Sequence, residues 1–193
     1  MFFLQTNGSG VLSFSSVSSD FVLLATSTAS ASASISFDGY FSSTYSNYIV
    51  FINNMRPATD GAEPYIRFRR SNADITASDY RFVCARARVT SPSGSGVESG
   101  EFSLASNRIS INQDMDDSVL FTLHGNIQLY NPLDTASYPA CILDTVGTNN
   151  SNADAYRRFG FGRLHSTGAL SGITFFFSSG NITSGTFKLY GLK

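Results

Sequence analysis

At 193 residues the chain is long enough for one domain with a real core, and its net charge of −1 gives no electrostatic case for nucleic acid, whose binders present a basic face. Charged residues are only 14%, hydrophobic residues 42%, and 17 Phe with 9 Tyr and no Trp supply the aromatics, a profile that favours pleated sheet over helix. No apolar stretch is long enough to span a bilayer, which argues against a membrane partner.

MFFLQTNGSG opens the chain without a basic leader or a long apolar core, so it reads as neither signal peptide nor membrane helix, and a soluble protein made in the cytoplasm is expected. Residues 1–17 form a short polar arm ahead of a domain over 18–193. The first 55 residues carry two acids, Asp20 and Asp38, and no basic residue precedes Arg56. TSTASASASIS at 26–36 fits an extended strand or a flexible connector; a strand or a pressed-down arm is preferred, because Phe21 to Leu24 before it and Ile35 and Phe37 after it need cover.

Strand signals then follow one another. YIVFINNM at 48–55 ends at Pro57 and an Asp60-Gly61 turn, and 65–69 and 80–89 come next, with SPSGSG at 91–96 read as a flexible loop. Short strands are expected at 102–105 and 108–111, and a long one at 119–130 with Gly125 as a bulge. Strands at 140–146 and 156–164 flank the polar loop VGTNNSNADA. Residues 173–177 and 186–192 flank SSGNITSG and read as a closing hairpin, with period-two alternation in the last strand. Eight to eleven short strands without helices predict an all-β fold, a jelly-roll-like antiparallel β-sandwich.

Catalytic and metal chemistry find little footing. His124 and His165 have no Cys or Glu at ligand spacing, and no G-x-S-x-G marks a hydrolase. Asp114, Asp116 and Asp117 form the one dense acidic cluster, for which a solvated turn is preferred to a calcium site, since the EF-hand glycine and distal Glu are missing. Cys84 and Cys141 lie in apolar strand-like runs; buried free thiols are preferred to a disulfide. No enzyme, cofactor or metal is therefore expected. Arginines gather at 67, 69 and 70, at 81, 86 and 88, and at 157, 158 and 163; if those strands are neighbours, they build a guanidinium-rich face interleaved with Phe68, Phe82 and Phe159. Such a face suits a wet subunit interface, with ordinary solvated alternation as the alternative.

LQTNGSGVLSF at 4–14 resembles the short linker that precedes C-terminal modules in bacteriophage tail-fibre and other virion proteins, and FFFSSGNITSGTFKLYGLK at 175–193 resembles the end of a β-sandwich domain in structural proteins of cyanophages and other aquatic phages. SNYIVFINNMRPATDG at 46–61 is similar to the same domain. This resemblance implies a trimer-forming jelly roll in the virion: a short fibre or receptor-binding component that attaches by its arm and adheres to the host surface, or a capsid cement protein that clamps neighbouring subunits. The lack of a shaft and of Trp leans towards cement, and LQTNGSGVLSF leans towards a fibre. Expected partners are two further copies of the chain, capsid, tail or baseplate proteins and a host surface glycan. Candidate interface residues are Phe2, Phe3, Leu4, Phe14, Phe21, Arg67, Arg69, Arg86 and Arg88, and candidate glycan contacts are Tyr45, Asn149, Asn150 and Asn152.

Overall fold

Aromatic, β-branched and hydroxyl residues at a period of two favour extended backbone. The computed structural model describes residues 2–6, 8–10, 12–16, 19–90, 94–148 and 155–193, which contain fifteen strands and no helix. In chain order these are β1 (Phe2–Thr6), β2 (Leu12–Ser16), β3 (Phe21–Ser32), β4 (Ile35–Asp38), β5 (Asn47–Pro57), β6 (Pro64–Arg70), β7 (Ala73–Asp74) and β8 (Tyr80–Thr90). The second half holds β9 (Gly94–Ser106), β10 (Ile109–Ser110), β11 (Leu123–Tyr130), β12 (Ala140–Thr148), β13 (Ala155–Leu164), β14 (Gly172–Phe177) and β15 (Ile182–Leu192).

The strands form an all-β sandwich. An eight-stranded antiparallel sheet runs β3-β15-β5-β11-β12-β13-β8-β9, and a smaller sheet runs β10-β6-β14-β4 with β7 beside β6. Most connections step from one sheet to the other, an arrangement compatible with a jelly roll. β1 and β2 pair only with each other, as a separate ribbon.

The core lies between the two sheets. Val50, Ile52, Ile127, Leu129, Leu143, Phe187 and Leu189 point inward from the large sheet and meet Ile66, Phe68, Ile173 and Phe175 from the small one. Phe175 and Phe187 are fully buried with ring centroids 5.1 Å apart. That contact corrects one expectation. The strands on either side of SSGNITSG do not form a hairpin: β14 lies in the small sheet between β6 and β4, and β15 in the large sheet between β3 and β5. The loop arches over the edge of the core, and the FFF run is apolar without alternation because β14 is buried almost along its length.

Gly125 does mark a register shift in the β11–β5 pairing, and a Cβ there would meet Asp144 O at 2.3 Å. The β-strand expected from residue 119 starts at Leu123, leaving Val119 and Leu120 exposed. Part of the SPSGSG loop is strand, since β9 begins at Gly94. Cys84 and Cys141 are buried free thiols.

Buried phenols and thiols set the alkaline limit of this fold. Burial and the hydrogen bond to Glu63 push the Tyr65 hydroxyl up to about 12, and burial, with a smaller push from Cys84, takes the Cys141 thiol up to about 12. Both values are raised above those of the unfolded chain. Their contribution is therefore complete below about pH 9 and lost as the pH climbs through the 9–12 window. Titration should show the share of tyrosinate absorbance that Tyr65→Phe removes rising together with the loss of strand dichroism in that window, rather than before it.

Candidate interaction surface

Register carries the main functional information. Leu23 stands opposite Tyr190, Tyr190 opposite Ile49, Ile49 opposite Gln128, and Gln128 opposite Ile142. Ile142 then faces Phe161, Phe161 faces Val83, and Val83 faces Phe102. One cross-strand row thus crosses all eight strands on the outward face of the large sheet, and Gln128 is its single polar member. At about 4.8 Å per strand the row is about 34 Å long. No element of the described chain covers its far half: Ile142 is 46% exposed, Phe161 and Val83 45%, and Phe102 69%.

The flanking rows mix charged and amide side chains with apolar ones. On one side run Lys188, Phe51, Asn126, Asp144, Phe159 and Ala85. Arg157 holds Asp144 in a two-pronged pair at 2.8 and 2.9 Å, which draws the Asp144 carboxyl below its ordinary value, and its guanidinium also lies 5.2 Å from the centre of the Phe159 ring. On the other side run Asn47, Tyr130, Ala140, Arg163 and Arg81, with Arg163 over the Tyr138 ring. An apolar strip whose margins carry both aromatic and charged side chains, guanidinium groups among them, fits a protein–protein interface. Large exposed apolar patches on soluble domains mark such surfaces.

The expected interface residues fall in four separate places. Phe2, Phe3, Leu4 and Phe14 lie in the β1–β2 ribbon, with Leu4 58% exposed. Phe21 belongs to the outward face: its ring stacks on Tyr190 at 4.4 Å and meets Phe51 edge-on at 6.1 Å, at the β3 end of the row. Arg67 and Arg69 sit on the outer side of the small sheet, engaged within the chain. Arg69 pairs with Asp38 at 2.6 Å and with Asp74, and donates to Thr174, while Arg67 donates to Asn107 O and lies 4.6 Å from the Phe176 ring centre. Arg86 and Arg88 point inward from β8 around the Tyr156 ring.

The three arginine groups therefore do not share one face. β8 and β13 are neighbours as supposed, but β6 is in the opposite sheet, and Phe68 and Phe82 are core while Phe159 is outside. Arg158 goes inward as well and is 2% exposed. It donates to Glu101 Oε2 at 2.7 Å; Gln113 Nε2 donates to the same oxygen at 2.7 Å, and Arg86 donates to Gln113 Oε1. These groups, with Cys84 and Gly100, line a cleft of about 240 Å³.

Of the glycan candidates, Tyr45 alone lies among the described residues. Tyr45 precedes the end of the sheet where Asn47, Tyr130 and Ala140 align, whereas Thr148 and Ala155, which bracket the loop carrying Asn149, Asn150 and Asn152, are at the opposite end of β12 and β13. Those three asparagines lie outside the described residues. Tyr45 itself is a packing residue. Its ring lies over Gly191, where a Cβ would sit 2.5 Å from the ring, and it meets Tyr48 edge-on. Gly191→Ala should therefore eject the ring and cost about 1–3 kcal/mol in chemical denaturation, a loss that Tyr45→Ala in the same chain should largely absorb.

Of the acidic cluster, Asp116 and Asp117 join Asp60 rather than Asp114, with one oxygen of each within 4.8 Å of the others, a spacing that exposed carboxylates commonly reach without an ion. His124 contacts Thr122 and His165 stacks near Tyr138, far apart in chain and partners.

No family model, curated protein or solved structure matches the chain. The residues that reading by sequence missed are Leu23, Val83, Phe102, Ile142 and Phe161. Their only sequence signal is alternation inside apolar strands, as in Phe159-Gly-Phe161-Gly, where glycine takes one face and phenylalanine the other.

Proposed function

We propose that the protein is a non-catalytic structural component of a bacteriophage particle that works as a homotrimer, adhering to its neighbours through the outward face of the large sheet. The observation that carries this reading is the row of exposed apolar residues from Ile142 to Phe102. A monomer in water would leave that strip wet at a cost of roughly 25 cal/mol per Å², which a partner covering it would recover. The resemblance of residues 4–14 and 175–193 to phage linker and sandwich segments supplies the virion setting, and a short fibre-type attachment component is the role it supports. Capsid cement is the second reading. The breadth of the outward strip favours it.

Phe161→Asp on its own should convert the assembly to monomers in mass photometry at micromolar concentration while leaving the melting temperature of the monomer almost unchanged, because the side chain is outside the core. A wild-type chain that is monomeric under those conditions would remove the basis of the proposal. Cryo-electron microscopy of intact particles separates the two roles: density over the capsid lattice means cement, and density at the tail means fibre.

A further inference from the structure

The cleft of about 240 Å³ beside β9 sets a buried cation against unfilled space. Arg158 is 2% exposed, and a guanidinium buried so deeply is costly unless its donors are met. Its Nη2 donates to Glu101 Oε2 at 2.7 Å, but its Nε–H is buried with no acceptor among the described residues. The guanidinium is felt at the cleft wall: burial raises the Cys84 thiol, and Arg158 is the strongest influence in the other direction. Gln113 Nε2 donates to the same Glu101 oxygen at 2.7 Å, so donors from β13 and from the loop after β10 converge on one carboxylate. Arg86 donates to Gln113 Oε1, which fixes that amide with its nitrogen toward Glu101.

Glu101 is the least firmly seated member of this group. It is the lone carboxylate among the described lining residues, and its side chain is 39% exposed. Strand β9 ends the large sheet, pairs only with β8, and carries Gly94, Gly96 and Gly100, which weaken a strand. Its register also breaks next to Glu101. Cys84 faces Glu101 and Arg86 faces Glu98, so Ala85 stands against both Ser99 and Gly100. Such a bulge re-aims a side chain and is common beside ligand sites. With Glu101 in place the cleft still offers far more than the roughly 30 Å³ that one water takes up, which is room for a small organic acid.

We propose that this cleft binds a small carboxylate anion, whose carboxyl group takes the place of Glu101 on Arg158 and Gln113 while Glu101 turns out into water. Glu101 is then an internal stand-in for the ligand, keeping the guanidinium paired while the site is vacant. The chemistry of the occupant follows from the cradle, which already holds a carboxylate through charge-assisted bonds and leaves one further guanidinium donor to spend on a second oxygen. The inference is independent of the assembly reading above.

The test is a titration of the full-length chain in which acetate replaces chloride at constant ionic strength, followed by NMR at the Arg158 Nε–H and the Gln113 side-chain amide. Both signals should shift together and saturate at millimolar acetate. Glu101→Ala removes the internal competitor, so it should half-saturate at a concentration at least about tenfold lower. Acetate should also bring the melting temperature of that variant back toward the wild-type value. Arg158→Met should lose the response at Gln113. No saturable shift in the wild type, a response confined to Glu101→Ala, or one that survives in Arg158→Met would overturn the inference. The wild-type titration decides the matter even where Glu101→Ala does not fold.

Discussion

Phe187→Ala is expected to lower the unfolding free energy by about 3–5 kcal/mol, the range for deleting a fully buried ring from a close-packed core. Phe187 is 0% exposed and packs on Phe175 across the two sheets, so its removal opens a void that neither rigid sheet fills by moving. Urea titration should show the midpoint falling with little change in slope. The companion change Phe187→Leu should recover most of the loss. Equal losses from Leu and Ala would mean that the ring is not the contact joining the sheets.

Glu101→Ala and Arg158→Met should differ sharply although they break the same ion pair. Arg158 is 2% exposed, and Glu101 Oε2 at 2.7 Å is the carboxylate that balances it; Glu101 itself is 39% exposed at its side chain. Removing the acid strands a buried guanidinium and also frees Gln113 Nε2, at about 2–3 kcal/mol, a figure reduced from the range for fully buried pairs because the acid is partly in water. Removing the arginine leaves a carboxylate that rehydrates, and Met fills much of the vacated volume. That variant should lie within about 1 kcal/mol of wild type. Thermal melts of the two variants in parallel decide the matter, and equal destabilisation would show that the pair acts through packing alone.

Most of the strands were legible because local chemistry sets them. β5, β6, β8, β12, β13 and β15 were each read to within a few residues from apolar runs bounded by turn residues, and the Gly125 irregularity was visible as a glycine inside a strand pattern. What failed was non-local. The closing hairpin was inferred from sequence nearness, whereas Ile173–Phe177 is buried almost throughout and belongs in the middle of the second sheet. The arginine face failed for the same reason, since nothing in residues 65–70 says that β6 opposes β8 rather than adjoining it. The outward row could not be read at all: Leu23, Ile49, Val83, Phe102, Ile142, Phe161 and Tyr190 become one surface only through seven registers, and a slip of one residue would turn a strand's members inward. The ribbon was half legible, as Asn7-Gly8 between two short apolar runs is a hairpin signal within a segment read as an arm.

Strand β15 lies between β3 and β5 and hydrogen-bonds both. Until residues 182–192 have left the ribosome, β3 has no seat and β5 shows an open edge, so the large sheet cannot close before β15 emerges. Closure of the large sheet thereby waits on pairings of long sequence separation, which form slowly. Nascent and truncated chains should be clients for chaperones and prone to coalesce, and slow synthesis at low temperature should raise the yield of folded protein.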